Sequence, residues 1–331
     1  MAIGCGLALA ACSASSTTGG GGSGGAGGFG GSTGTGHFTY GFGQHRVYRI
    51  EARVGATPQD ISTVFGKFGA GTTDRWLVPS HNGAHYLVST DRLQCGSGEC
   101  LAYAPSSFAT LELVKADGQD VIIEGIPTIN NAGDTIVYSA AGGPHMRDLF
   151  VIKKTATGWG PATLITGPSA YPYNNMPALT FDQTRVLFDC SQAPYPEGGI
   201  TDSCSVRLDG SGQKIVVSSA TLPNSRQQHV QFPRDSLDGV LFESAWPQDG
   251  GSPETIWLRK DDSVPTPIGR NFNNAVSPCG LRDGRFGVLW LGGPGNTSGA
   301  HELALAARDG TVIGVLTPGV DVDDIGIGCS D

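Results

Sequence analysis

Short apolar runs return along this chain about every 50 residues, and each run ends in Val, Tyr, Phe or Trp. Each run follows a polar turn, such as Asn82-Gly83 before the first run and Asp283-Gly284 before the last. The runs are His85–Val88, Thr135–Tyr138, Arg185–Phe188, Gly239–Phe242 and Gly287–Trp290, and their last residues are 50, 50, 54 and 48 positions apart. A nearly fixed period of this size indicates a repeat architecture.

Each repeat contains four strand-like segments. In the second repeat we predict strands at Pro127–Ile129, Thr135–Ser139, Asp148–Lys153 and Ala162–Ile165. The fifth repeat has the same order, with strands at Ala275–Pro278, Phe286–Leu291, His301–Ala306 and Thr311–Leu316. Asp-Gly pairs at 117–118, 209–210 and 309–310 predict tight turns between the last two strands, because both residues tolerate positive φ. Four strands per repeat, repeated radially, is the plan of a β-propeller.

The repeat resembles the WD40-like repeat of TolB-type propellers. The segment Pro278–Gly284 fits its Pro-x-x-x-x-Asp-Gly element, and Asp148–Val151 followed by Gly158–Pro161 fits the later strands. The resemblance covers residues 37–331 and implies the propeller fold. Kelch repeats are the alternative, but they place a Gly pair directly after the second strand. Here the Gly pairs begin 4, 10, 8 and 2 residues past residues 138, 188, 242 and 290.

Five full repeats leave strands over at both ends. The segment Asp324–Cys329 resembles a first strand, and the beginning offers Phe38–Phe42, Arg46–Ala52 and Asp60–Phe65. Joined, they make a sixth blade, and this closure removes the exposed strand edges. We therefore predict an all-β, six-bladed β-propeller of four-stranded antiparallel blades, a single domain over residues 37–331, with strands from both termini in the last blade.

The cysteines outside the first residues indicate disulfides. Apart from Cys5 and Cys12, six cysteines remain, and several pairings are possible. Their positions in the repeat favour Cys95–Cys100, Cys190–Cys204 and Cys279–Cys329. No Cys-x2-Cys spacing of a zinc site occurs.

The first residues predict export. Ala2–Ala11 is small and apolar, and Leu9–Cys12 resembles the lipobox of bacterial lipoproteins. That resemblance implies a signal peptide at residues 1–11, lipidation of Cys12, and an envelope location on the outer membrane. Residues 12–36 are rich in Gly and Ser, which predicts a flexible tether. No Lys or Arg precedes Arg46, so the usual basic region is missing, and an ordinary secretory signal or a non-exported start remain alternatives.

The formal net charge of −9 argues against binding to nucleic acid and against electrostatic docking on anionic membranes.

A candidate binding site lies at the mouth of the propeller channel. The long connections Thr90–Ala109, Ser191–Asp202 and Ala245–Glu254 should share one face with the connections between blades. The polar residues at the starts of the inner strands are the candidate ligand-binding residues: Arg75, Glu124, Asn174, Asn175, Gln227, Gln228, His229, Asn273, Asn274, Asp323 and Asp324. The alternative is that these amides cap strand ends and bind channel water.

Two functions remain open, because propellers host both binding modules and enzymes. The first is a non-catalytic, monomeric binding or scaffold protein for an envelope protein or a glycan, without a cofactor. The alternative is a polysaccharide lyase or hydrolase that uses channel carboxylates or His with a divalent cation. Asp321, Asp323 and Asp324 resemble the start of a calcium loop but lack its last Glu. His81 and His85 would lie on one side of a strand, as a metal pair or as ordinary turn and sheet residues. Convergence of Asp74, Glu124, His229, Asp323 and Asp324 would favour the enzyme.

Overall fold

Every apolar run of the repeat forms the second strand of an antiparallel sheet in the computed structural model. The structure describes residues 36–43, 45–95, 99–167, 171–193, 201–222, 230–245, 254–268, 274–291, 299–323 and 326–331. The signal peptide, Cys12 and all of the predicted tether except Gly36 therefore lie outside the described residues.

The described strands form six blades around a central channel. Blade 1 contains β4 (Asp74–Pro79), β5 (His85–Thr90), β6 (Cys100–Pro105) and β7 (Glu112–Leu113). Blade 2 contains β10 (Thr128–Ile129), β11 (Thr135–Ala140) and β12 (Asp148–Thr155), with β13 (Gly158–Trp159) and β14 (Thr163–Leu164) both paired to β12. Blade 3 contains β15 (Tyr173–Leu179), β16 (Arg185–Ser191), β17 (Thr201–Arg207) and β18 (Lys214–Val217).

Blade 4 contains β19 (Gln231–Ser236), β20 (Gly239–Ala245), β21 (Glu254–Arg259) and β22 (Thr266–Pro267). Blade 5 contains β23 (Ala275–Gly280), β24 (Phe286–Trp290), β25 (Glu302–Ala306) and β26 (Val312–Val315). Blade 6 joins the C-terminal β27 (Gly328–Ser330) to β1 (His37–Phe42), β2 (Arg46–Glu51) and β3 (Gln59–Asp60). The predicted fold class, including closure by strands from both termini, is confirmed.

The apolar runs are continuous because both faces of each blade are buried. Successive side chains of a strand point to opposite faces, so Leu87 packs toward blade 2 while Val88 packs toward blade 6. In the same way Leu241 packs toward blade 5 and Phe242 toward blade 3. The buried apolar residues accordingly form six clusters, one at each interface between neighbouring blades.

The three predicted disulfides are present, with Cα–Cα distances of 5.8, 5.9 and 5.9 Å for Cys95–Cys100, Cys190–Cys204 and Cys279–Cys329. The last one joins the inner strands of blades 5 and 6. It therefore lies where the propeller ring closes.

Three local predictions are wrong. The predicted connection Thr90–Ala109 contains β6, so the link between the second and third strands of blade 1 covers only residues 91–99. The segment Asp60–Phe65 is not a strand, because β3 ends at Asp60 and the helix α1 (Ile61–Phe65) follows. The Asp60 carboxylate caps this helix by accepting from Thr63 N at 2.9 Å, and Ile61 and Phe65 are buried on one helix face. The pair Asp117-Gly118 turns an additional hairpin between blades 1 and 2, made of β8 (Lys115–Ala116) and β9 (Gln119–Asp120).

The antiparallel order sorts the connections onto two faces of the propeller. The connection face carries the links between second and third strands and the links between blades. The turn face carries the turns between first and second and between third and fourth strands. Each inner strand begins at the connection face and ends at the turn face, so a residue's place in its inner strand gives its depth in the channel.

Candidate functional site

Four of the six inner strands contain a β-bulge halfway along the channel. In blades 1, 3, 4 and 5 the register with the second strand shifts across two residues at this position. The first bulge residue has φ of 51° at Trp76, 51° at Met176, 50° at Phe232 and 53° at Ser277. Large side chains rarely adopt this left-handed backbone, so the surrounding packing must hold it. The inner strands can be aligned by their pairing with the second strand of each blade. In this alignment Ile126 of blade 2 and Ile327 of blade 6 lie at the same depth in the channel as the bulge residues.

These bulge residues close the channel. Ile126 reaches across to blade 6, where a Cβ on Gly326 would collide with Ile126 Cδ1 and lie 3.8 Å from Phe232 Cε1. Ile126 N lies 3.5 Å from Met176 Sδ. We call Ile126, Met176 and Phe232 the channel plug. It is apolar, and it separates the connection-face end of the channel from the turn-face end.

Little space remains on either side of the plug. The cavity on the turn-face side has a volume of about 40 Å³, and a cleft on the connection face has a volume of about 20 Å³. Pockets that envelop organic ligands have volumes of roughly 300–1,000 Å³. Both of these spaces are much smaller than that.

Arg75 and Asp323 are the two predicted site residues that line a common cleft. They meet at the connection face between blades 1 and 6, together with Tyr40 and Trp76. The Arg75 guanidinium also faces Glu99, with 3.7 Å between Nη1 and Oε1. This cleft therefore contains a cation and a carboxylate.

Glu124, Asn174 and Asn175 lie together at the junction of blades 2 and 3. Glu124 Oε2 accepts from Arg147 Nε at 2.9 Å, and Asn174 Nδ2 donates to the Arg147 carbonyl at 3.1 Å. Asn175 Oδ1 accepts from Ser139 Oγ at 2.6 Å. Asn174 is fully buried, and its Oδ1 has no hydrogen-bond partner among the described residues. These side chains join neighbouring blades, and Glu124 and Arg147 remain partly exposed.

The other predicted site residues are less informative. Asn274 is exposed at the start of β23, with a left-handed φ of 57°. Gln227, Gln228, His229, Asn273 and Asp324 lie outside the described residues.

Sequence reasoning overlooks a set of buried carboxylates beside this face. Asp148 Oδ1 accepts from Thr166 Oγ1 at 2.6 Å, and Asp202 Oδ1 accepts from Ser219 N and Oγ at 2.7 and 2.8 Å. Glu302 likewise accepts from the backbone 17 residues further on. Each acid is the first or second residue of a third strand, and it binds the segment that follows the fourth strand. An acidic residue followed by Ser or Thr 17–18 positions later is the signal that would have found the first two.

Asp74 is also buried and paired. Its carboxylate accepts from Arg92 Nε and Nη2 at 3.0 Å each and from Thr90 Oγ1 at 2.8 Å. Arg92 continues to the Ser62 and Gly69 carbonyls, so this ion pair fastens blade 1 to the segment that follows blade 6.

The candidate metal ligands are separated in space or bound elsewhere. His81 Nε2 donates to the Leu179 carbonyl at 2.9 Å, whereas His85 Nδ1 lies 2.8 Å from the Tyr103 hydroxyl. Burial lowers the pKa of both His81 and His85. Asp321 Oδ1 accepts from His301 N. Within the described ranges, the one trio of metal-type ligands includes Cys95 and Cys100, which form a disulfide.

Comparison with known proteins supports the fold. TolB from Acinetobacter baumannii matches with a TM-score of 0.60 at 11% identity, over 89% of this chain and 66% of that one. Kuenenia stuttgartiensis hydrazine synthase also gives 0.60 at 11% identity, over 88% of this chain and 46% of that one. A puromycin-hydrolyzing peptidase from Mycobacterium tuberculosis gives 0.51 at 13% identity, over 81% and 40%. No protein-family model and no curated sequence matches the chain.

The chain is thus a six-bladed β-propeller with TolB-like structural neighbours. It spans just under two thirds of the TolB chain and less than half of the two enzymes. At these identities the likeness shows the fold alone. In the part of the chain that the structure describes, no helix is long and apolar enough to cross a membrane.

Proposed function

We propose that this chain is a non-catalytic, lipid-anchored protein of the cell envelope whose connection face binds a partner protein. The observation that carries the proposal is the closed channel. The spaces beside the plug have volumes of about 40 and 20 Å³, and Arg75 and Asp323 line the one on the connection face. A partner must then cover the rim, where a stable complex typically buries about 800 Å² on each side.

The rim is suited to such contact. The Cys95–Cys100 disulfide constrains the connection between β5 and β6. The cleft with Arg75 and Asp323 lies on the same face. Glu124 and Arg147 add a second, partly exposed ion pair with a Nε–Oε2 distance of 2.9 Å. Rigid loops with charged side chains of both signs favour a specific protein surface over a small uncharged ligand.

The contacts of the carboxylates support binding over the alternative of a polysaccharide lyase or hydrolase. A general acid or base must reach the proton that it transfers. Asp74, Glu124, Asp148 and Asp202 are each engaged by Arg, Ser or Thr side chains that fasten strands or blades. Turnover of envelope polysaccharides by the purified chain, with or without calcium, would overturn this assignment.

Site-specific photo-cross-linking tests the binding face. A photo-reactive amino acid is placed at Asn274 on the connection face or at Asp261 on the turn face. The two positions are matched, because both are exposed and have left-handed φ values of 57° and 46°. We expect one defined adduct in intact envelopes from position 274 and none from 261. Equal adducts from both positions, or none from either, would contradict the proposal.

The lipid anchor is tested separately. Cys12→Ser should abolish incorporation of labelled palmitate and move the protein from the membrane to the soluble envelope fraction. Cys5→Ser is the matched control and should change neither. Palmitate labelling that persists in Cys12→Ser would refute the anchor.

A further inference from the structure

A chamber lies in the channel on the turn-face side of the plug. We call it the inner chamber. Each of the six inner strands contributes one residue to a ring in the chamber wall. This residue lies two positions after the bulge position, and the six are Val78, Thr128, Ala178, Arg234, Cys279 and Cys329. Five of them are small and uncharged, since Cys279 and Cys329 form a disulfide. Arg234 is the one charged member of this ring.

The Arg234 side chain is buried and only partly satisfied. The residue is 9% exposed, and its Nη1 donates to the carbonyls of Pro233 at 3.1 Å and Met176 at 3.5 Å. A guanidinium carries five N–H donors. Nε and Nη2 donate to no described residue, and no described carboxylate oxygen lies within 4.0 Å of the guanidinium. Burying a cation is unfavourable unless hydrogen-bond acceptors or counter-charges replace the water that it loses.

The acidic groups around Arg234 are bound to backbone amides. Asp189 accepts from Phe232 N at 3.0 Å, Asp235 accepts from Phe181 N at 2.6 Å, and Glu243 accepts from a backbone N–H of blade 5. Burial raises the pKa of Asp189 to about 8, against the opposing charge of Arg234. Burial also raises the pKa of Asp235. Burial lowers the pKa of Arg234, and the charges of Asp189 and Glu243 raise it in opposition.

The inner chamber has a second free donor and a restricted size. Thr128 Oγ1 accepts from Leu179 N at 3.3 Å, and its own hydrogen has no acceptor among the described residues. The plug forms the ceiling, and the hydrogen bond from His81 Nε2 to the Leu179 carbonyl spans blades 1 and 3 at the floor. The space of about 40 Å³ corresponds to about three water positions. A halide, formate or acetate fits such a space, whereas a peptide does not.

We propose that the inner chamber is a binding site for one small monovalent anion, a halide or a carboxylate of formate or acetate size, held by Arg234 with Thr128 as a second donor. The anion would accept from Nε and Nη2 of Arg234, which donate to no described residue. The site is independent of the connection face, since the plug separates the two.

Bromide locates the anion. Crystals of the wild-type chain soaked in sodium bromide should show one anomalous peak beside the Arg234 guanidinium inside the chamber, and competition with sodium formate should reduce it. Water density alone in the chamber at molar bromide would overturn the proposal. This arm needs no variant and so does not depend on the folding of one.

Thermal unfolding measures the binding in solution. In sodium chloride the wild-type Tm should exceed that in an equal concentration of sodium gluconate, whose anion is too large for the chamber, by about 2–4 °C. Arg234→Met should lose this difference. Arg308→Gln removes the same charge from an exposed arginine and should keep it. A chloride effect of equal size in the wild type and Arg234→Met would refute the site.

Discussion

The Cys279–Cys329 disulfide should stabilise this protein more than either of the other two. Its sequence separation is 50 residues, compared with 14 for Cys190–Cys204 and 5 for Cys95–Cys100. The chain-entropy relation converts these loop lengths into roughly 4, 3 and 2 kcal/mol of stabilisation through the unfolded state. The expected difference between the longest and the shortest loop is therefore about 2 kcal/mol.

The native contacts of β27 point in the same direction. This strand closes the ring, but it pairs with β1 through three residues only. Its neighbour Asp331 adds an ion pair with Arg282 at 3.0 Å, in which the side chains are 31% and 50% exposed. Exposed pairs of this kind contribute about 0–1 kcal/mol. Without the disulfide, the last strand keeps these contacts, the hydrogen bond from Asp331 N to the His81 carbonyl at 2.7 Å and the packing of the buried Ile327.

The assay compares two double variants, so that no free thiol remains. The Tm should fall by roughly 10 °C in the double variant Cys279→Ser/Cys329→Ser. It should fall by roughly 5 °C in the double variant Cys95→Ser/Cys100→Ser. Circular dichroism gives both values, and hydrogen exchange should show faster exchange of the β27 amides in the first variant only. Equal losses of Tm, or unchanged exchange in β27, would refute the role of this bond in closing the ring.

Three further predictions concern the interior. Arg92→Met leaves the Asp74 carboxylate buried without its cation, and urea unfolding should show a loss of about 3–5 kcal/mol; a loss under about 1 kcal/mol would show that the pair is dispensable. Burial raises the pKa of Asp189 from 3.8 to about 8, so the folded state keeps a proton that the unfolded state releases in this window, and stability should fall as the pH rises from 5 to 8. Asp189→Asn should remove that part of the slope in denaturant unfolding, and an unchanged slope would contradict the pKa. Gly326→Ala should lower the Tm more than Gly319→Ala, because both positions have positive φ but only the first methyl would strike the plug; equal losses would argue against a packed plug.

Much of the fold was predictable from two local patterns. The period of the repeat indicates the number of blades, and the continuous apolar runs indicate strands that are buried on both faces. Leu87 and Val88 are neighbours in sequence, yet they serve two different interfaces, and a continuous apolar run is the result. The position of each cysteine within its repeat likewise indicated its partner. Helix α1 was missed because it has only five residues. Its buried pair, Ile61 and Phe65, shows the helical spacing once, and one such pair does not stand out from the strand pattern around it.

The candidate site was predictable only in part. Repeat spacing brought Arg75 and Asp323 to the same mouth, and the structure shows that they line one cleft. Spacing did not show that Glu124, Asn174 and Asn175 bridge two blades, because their partners Arg147 and Ser139 come from other parts of the repeat.

The sequence alone establishes the repeat, the six blades, the ring closed from both ends and the cysteine pairs, because these depend on regular local patterns. Only the tertiary structure shows that Ile126, Met176 and Phe232 meet in the channel and that Arg234 lines a chamber with two of its nitrogens, Nε and Nη2, bonded to no described residue. Both features depend on where six separate strands meet at the axis. A β-bulge in each of four of these strands changes which side chains point into the channel, and no periodic pattern records that change.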